Sequence, residues 1–85
     1  PAQLADAARR RDAAAVRAFA DSLRIDEEDA FSVLAAAVEV KEAKYTAVAE
    51  HLLTSLTEVR PDYAPGWYEL AVFHRYEHRL EPALR

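Results

Sequence analysis

Hydrophobic side chains recur along this chain three or four positions apart, which is the spacing of one face of an α-helix. In the second such segment, for example, Val16, Phe19 and Leu23 share a face. Few residues with high strand propensity interrupt the pattern, and the chain holds a single glycine. The pattern predicts α-helices over about residues 3–10, 12–23, 30–42, 45–59 and 62–77, with the first turn of a sixth at 81–84.

Helix caps and helix breakers separate these segments. The acidic run at 26–29 complements the macrodipole of the third helix, so we interpret it as a cap rather than a cation site. Pro61 ends the fourth helix, and Asp62 is a natural N-cap for the fifth. Pro65 and Gly66 are tolerated in the first turn, because backbone N–H groups there have no intrahelical acceptor to lose.

The helical pattern repeats with an offset of 34 residues, at which Ala30 falls on Ala64. The same offset superposes an apolar stripe of the third helix on one of the fifth, and both have the spacing of one helical face. The stripe of the third helix is Val33, Ala36, Ala37 and Val40. The stripe of the fifth is Trp67, Leu70, Ala71 and His74. Repetition of a whole pattern indicates stacked structural units, with both stripes packed inside.

The segment from Pro61 to Ala83 resembles a tetratricopeptide repeat. Its motif residues are Pro61, Asp62, Tyr63, Ala64, Trp67, Tyr68, Leu70, Ala71 and Ala83. The family pattern has small residues where Ala71 and Ala83 stand, so that the two helices of a repeat approach closely. An earlier, partial match resembles the second helix of a repeat and its exit into the next, and its residues are Ala15, Phe19, Leu23, Ile25, Asp26 and Ala30. The middle unit departs from the pattern, with Val33 where the family prefers Trp.

The resemblance implies an all-α fold of antiparallel helical hairpins, stacked as a short right-handed α-solenoid in a single domain. About two and a half repeats are expected. They are a partial repeat at 1–29, a repeat at 30–63 and a truncated repeat at 64–85.

The resemblance also implies a concave groove that holds a peptide or a protein segment. The expected groove residues are Phe31, Leu34, Val38 and Lys41 on the third helix and Tyr68, Val72 and Arg75 on the fifth. Some family members grip a peptide carboxylate with Lys and Asn, but the corresponding sites here are apolar or aromatic. The groove therefore suits an apolar or amphipathic segment that carries an acidic residue. The alternative is that neighbouring helices simply cover these residues.

Two other functions are compatible with the sequence. A truncated sixth helix would leave an apolar face suited to self-association, with Tyr76, Leu80 and Leu84 on it. His74, Glu77 and His78 match the H-x-x-E-H signature of a zinc peptidase. Only a few residues follow His78 to supply a third ligand, and His74 falls on a packing stripe, so we expect neither a metal site nor an enzyme.

The amino-acid composition further narrows the functions that this chain could have. The 85 residues fit one domain, and a net charge of −4 gives no general attraction to nucleic acid. The basic run at 9–11 is flanked by Asp6 and Asp12, as on a solvated helix face. Cysteine is absent, no Gly-rich phosphate loop is possible and no cofactor is expected. The apolar run at 33–38 is too short to span a bilayer.

The ends of the chain carry little information on its location. No secretory signal pattern opens the sequence, and the compartment stays open with the cytoplasm as the default expectation. A chain that begins at Pro1 and contains no Met is expected to be part of a longer one.

Overall fold

The computed structural model describes the backbone of residues 1–84 and the side chains of residues 1–75. Within this part, the chain forms α-helices and one 3-10 turn, with no β-strand, which confirms the all-α prediction. The helices are α1 (Ala2–Arg9), α2 (Ala13–Ser22), α3 (Ala30–Glu42), α4 (Thr46–Val59) and α5 (Ala64–Leu84), and the 3-10 turn is Ile25–Glu27.

The bounds of α1 to α4 lie within about one residue of the predicted segments, but α5 differs at both ends. Tyr63, not Asp62, immediately precedes α5, so the predicted N-cap is wrong, whereas Pro65 and Gly66 do lie in the first turn. No sixth helix begins near Glu81, because α5 continues to Leu84. Residues 76–81 contain neither Gly nor Pro, so nothing in the local sequence stops the helix there.

Two hairpins share one turn geometry. The turn between α1 and α2 places Arg11 at a φ of 58°, and the turn between α3 and α4 places Lys44 at 74°. In both turns the next residue donates its N–H back across the helix end, Asp12 to Ala7 O and Tyr45 to Val40 O, each at 3.1 Å. These are Schellman motifs, in which a left-handed residue satisfies the last carbonyl groups of a helix. They reverse the chain within three residues, so each helix pair is antiparallel.

The hairpins pack against each other through small side chains. Helix α1 contacts α2 and α3, α3 also contacts α4, and α2 touches α4. The alanines at these contacts are almost fully buried, with relative exposures of 0% for Ala7, Ala8, Ala37 and Ala49 and 2% for Ala36. Alanine at a helix contact lets two helix axes approach closely. The resulting body is thin, with principal extents of 40 × 32 × 15 Å.

Helix α5 packs mainly on α4, and its buried face differs from the predicted one. Phe73 is 1% exposed, Gly66 is buried, and Leu70 between them is half-buried. Gly66 allows a close approach, since a Cβ atom there would lie 3.4 Å from Leu56 Cδ2. Of the predicted stripe, Trp67, Ala71 and His74 are exposed. The prediction was wrong for these three residues because α5 packs on the flank about 100° away.

The segment between α2 and α3 is tied to the end of α4. Arg60 Nη2 donates to the carbonyl oxygens of Asp26 and Glu28, both at 3.3 Å. Asp29 caps α3 by accepting from the Ser32 backbone N–H at 3.2 Å, and Ile25 is buried beneath the 3-10 turn. The interpretation of this acidic run as a helix cap is confirmed at Asp29.

The first Schellman turn predicts that Arg11→Gly stabilises the protein. A non-glycine residue at positive φ is strained. Replacing it with glycine relieves the strain and raises the net free energy of unfolding by about 0.5–1 kcal/mol. The measurement is thermal unfolding, in which Tm should rise by a few degrees. Arg10→Gly is the matched control, because Arg10 has a helical φ of −80° and pairs with Asp6 at 2.9 Å. Equal stabilisation by both substitutions would contradict this explanation.

The cap at α3 predicts that Asp29→Ala lowers the free energy of unfolding by about 1 kcal/mol, because the Ser32 N–H loses its acceptor. Urea unfolding measures the change. Asp26→Ala removes a neighbouring carboxylate that makes no cap, and the backbone carbonyl that binds Arg60 remains. The control should change stability by less than about 0.5 kcal/mol. Similar losses in the two variants would assign the effect to general charge instead.

Candidate functional site

Large apolar side chains are exposed on α3, α4 and α5. Among the described residues, they are Phe31 and Tyr68, each with 68% relative exposure, Trp67 with 49% and Val59 with 37%. Three of the four are aromatic, whereas the aliphatic core is nearly closed to solvent. Exposed aromatic groups commonly mark a surface that contacts another molecule. The three exposed aromatic residues, on α3 and α5, therefore indicate where a binding surface lies.

On α3, the expected groove residues have different environments. Phe31 is exposed, Leu34 and Val38 are half-buried, and Leu34 packs against the core. Lys41 Nζ lies 3.9 Å from Glu69 Oε2 of α5. This ion pair places the flank of α3 that carries Leu34 and Lys41 beside α5, so neighbouring structure partly covers it.

On α5, the expected groove residues are more accessible. Tyr68 and Arg75 are exposed, and Val72 is half-buried. Trp67, next to Tyr68, is oriented by a hydrogen bond of 2.7 Å from its Nε1 to Pro61 O. The aromatic ring thus has a defined position although half of its surface faces solvent.

The open groove that contains Phe31 lies between α1 and α3, on the opposite flank of α3 from α5. Its volume is about 370 Å³. Its lining residues are Pro1, Ala2, Ala5, Arg9, Phe31, Ser32, Ala35, Ala36 and Glu39. An ion pair with 3.4 Å between Arg9 Nη1 and Glu39 Oε1 closes one end. We call this cleft the α1–α3 groove.

The α1–α3 groove combines a wall, a floor and a polar end. Phe31 forms an exposed aromatic wall, the alanines provide a smooth apolar floor, and the Arg9–Glu39 pair presents charge of both signs. A second cleft of about 420 Å³ lies between the N-terminal end of α1 and the 3-10 turn. It is lined by half-buried Phe19 and Leu23, so no exposed aromatic ring projects from it. The α1–α3 groove is therefore the better candidate for binding an apolar side chain.

The alanine floor was not predicted from the sequence. Ala5 and Ala35 are small residues in Ala-rich helices, where nothing in the sequence separates a groove floor from an ordinary surface position. The only available signal in the sequence was that a bulky residue, Phe31, lies one helical turn away from small residues. The short α1 could not be aligned by motif, so the residues through which it packs on α3 were not predicted.

The remaining candidate residues give no chemical site in the described part of the chain. His74 is exposed, and its ring makes an edge contact with Phe73 at 6.0 Å between centroids. No cluster of three His, Cys, Asp or Glu side chains with metal-binding geometry occurs among the described residues. Two residues of the H-x-x-E-H match, Glu77 and His78, lie outside the described side chains. So do the predicted self-association residues Tyr76, Leu80 and Leu84.

Among the described residues, no helix has both the length and the apolar character required to span a membrane. In comparisons with known proteins, no family model, no curated protein and no solved structure matches this chain.

Burial predicts which groove residues affect folding. Leu34→Ala should lower the free energy of unfolding by about 1–2 kcal/mol, because Leu34 packs against the core. Phe31→Ala should change it by less than about 0.5 kcal/mol, since the ring is largely exposed. Urea unfolding of both variants tests the difference. If Phe31→Ala proved the more destabilising, the ring would belong to the core, and a binding role would lose its basis.

Proposed function

We propose that this chain is a tetratricopeptide-like protein-interaction module that binds a segment of another protein in the α1–α3 groove. The observation that carries the proposal is the 68% exposure of Phe31 on the wall of a groove with an alanine floor. Burying a large exposed aromatic ring is favourable in water, and such rings often provide most of the binding energy of an interface.

The hairpin arrangement supports the tetratricopeptide-like part of the proposal. The two Schellman turns centre on Arg11 and Lys44, 33 positions apart, and α3 and α5 begin 34 positions apart. In addition, α1 lies against α3 and α2 touches α4, so like helices of successive hairpins are neighbours. This is the arrangement expected for stacked repeats, in which the first helices share one surface.

The proposed ligand is an extended or helical segment with at least one bulky apolar side chain. That side chain packs against Phe31 over the alanine floor, and polar groups of the segment reach the Arg9–Glu39 pair at the groove end. Lys41 is already paired with Glu69, so we do not propose that Lys41 binds an acidic residue of the ligand. The function requires no chemical step, so the proposal is for a binding protein and not an enzyme.

The test uses a peptide selected from a random display library on the 85-residue chain and then synthesised. Its affinity should fall by about tenfold or more in the Phe31→Ala variant, which corresponds to about 1.4 kcal/mol of lost apolar contact. Val59→Ala is the matched control, because Val59 is an exposed apolar residue at the far end of α4. Isothermal titration calorimetry gives the affinities.

Nuclear magnetic resonance shift mapping completes this test. The peptide should perturb backbone amides around Ala5, Phe31 and Ala35. Selected peptides that perturb another surface, or that bind the Phe31→Ala and Val59→Ala variants with equal affinity, would show that the α1–α3 groove is not the binding site.

A further inference from the structure

The α1–α3 groove has three levels, each one helical turn from the next. Helices α1 and α3 line it side by side, from the first turn of each helix to the contact between Arg9 and Glu39. Phe31 marks the first level, Ala5 and Ala35 the second, and the Arg9–Glu39 pair the third. Four residues separate successive levels on either helix, so each step is about 6 Å long.

The third level presents a hydrogen-bond donor beside an acceptor. Arg9 Nη1 lies 3.4 Å from Glu39 Oε1, whereas a charge-assisted hydrogen bond is about 2.7–2.9 Å long. The two side chains are 57% and 36% exposed, so a ligand has access to both. An apolar ligand group at this level would shield both charges from water without replacing any hydrogen bond, and that costs affinity.

The charges around this level are balanced. Arg9 and Glu39 also line a smaller cleft of about 170 Å³ between the same helices, together with Arg11 and Glu42. Two arginines and two glutamates therefore line the polar end of the groove. An acidic ligand group would be attracted by the arginines and repelled by the glutamates, and a basic group would meet the reverse. A neutral group that both donates and accepts a hydrogen bond fits this end best.

We propose that the α1–α3 groove selects a tyrosine side chain of the partner segment. This inference rests on the proposed function and names the residue that the groove holds. The tyrosine ring packs against Phe31 and over Ala35, with its length along one helical step. Its hydroxyl group reaches the third level, where the O–H donates to the Glu39 carboxylate and the oxygen accepts from the Arg9 guanidinium group.

Other side chains satisfy only part of the groove. Phenylalanine covers the alanine floor but brings no hydrogen bond to the third level. The indole of tryptophan donates without accepting, so it pairs with the carboxylate alone. Asparagine and glutamine both donate and accept, but they have no ring to pack against Phe31. A site with polar groups placed for a hydroxyl discriminates against ligands that lack one, because those groups then stay unpaired.

The tyrosine comes from another protein. The polar end of the groove is walled by α1 and α3 themselves, with Arg9 about 12 Å along α1 from Pro1. Of the tyrosines with described side chains, Tyr45 and Tyr63 pack against the core. Tyr68 is on α5, which lies on the opposite flank of α3 from the groove. A second copy of the chain is disfavoured as the source, since each copy has a net charge of −4 and two copies repel.

The test uses three capped synthetic pentapeptides with serine at four positions and a variable central residue. The central residue is tyrosine, phenylalanine or para-carboxyphenylalanine. Nuclear magnetic resonance titrations of the 85-residue chain give each affinity from the amide shifts of Ala5, Ala35 and Glu39. The tyrosine peptide should bind about fivefold or more tightly than the phenylalanine peptide, because of its hydrogen bonds at the third level. The carboxylate peptide should also bind more weakly than the tyrosine peptide, since Glu39 and Glu42 repel it.

A double substitution removes the polar end without changing the net charge. When Arg9→Met is combined with Glu39→Met, the preference for tyrosine over phenylalanine should fall below about twofold. The matched control combines Arg17→Met with Asp21→Met, because both residues are exposed on α2, away from the groove. The control should keep the full preference for tyrosine. Circular dichroism checks that both variants keep their helix content.

The outcomes separate this inference from the proposed function. If the phenylalanine peptide binds as tightly as the tyrosine peptide, and Phe31→Ala weakens both, tyrosine selection is wrong and the groove stays a binding site. Tightest binding of the carboxylate peptide would also overturn tyrosine selection. A dimer in analytical ultracentrifugation that Tyr68→Phe converts to a monomer would show that a second copy supplies the ring. No saturable shift with any peptide at millimolar concentration, or no effect of Phe31→Ala, would contradict the proposed function as well.

Discussion

The close contact of α1, α3 and α4 through alanine side chains is the constraint on which the rest of the structure depends. Five alanines of these helices are almost fully buried, on both sides of α3 and along its face toward α4. Alanine adds little apolar area per residue, so the core gains stability through short distances between helices rather than through large side chains. Larger residues there would separate the helices and widen the body, which is only 15 Å thick.

The chain reversals follow from this close packing. Helices that lie this close need turns that end one helix and start the next within a few residues, and the two Schellman motifs do so. Arg60 adds a link between segments far apart in sequence, because one guanidinium nitrogen binds the carbonyl oxygens of Asp26 and Glu28. Both carbonyls lie next to the start of α3, so Arg60 also limits where α3 can begin.

Helix positions could be predicted from the sequence far better than helix partners. The spacing of Val16, Phe19 and Leu23 depends only on the local helix, and the helix over α2 was predicted to within about one residue. The buried face of α5 depends instead on where α4 lies. Phe73 therefore became the anchor of α5, while Trp67, which belongs to the predicted packing stripe, is half-exposed. The left-handed turns at Arg11 and Lys44 were also missed, because neither residue is the glycine that usually marks such a turn.

The candidate site shows the same division between local and long-range information. Phe31 was named in advance because the family resemblance implied a groove along its face of the third helix. Its groove was not, because the floor is made by Ala5 from one helix and Ala35 from another, and only the packing of α1 on α3 brings them together. Leu34 and Lys41, on the same helix as Phe31, are partly covered by neighbouring structure.

The way in which α5 is held has a consequence for hydrogen exchange. Helix α3 has neighbours in both α1 and α4, whereas α5 rests mainly on α4, with Lys41–Glu69 as a link to α3. Detaching α5 therefore breaks fewer contacts than unfolding the hairpins, and its amides should open through a local event of lower free energy.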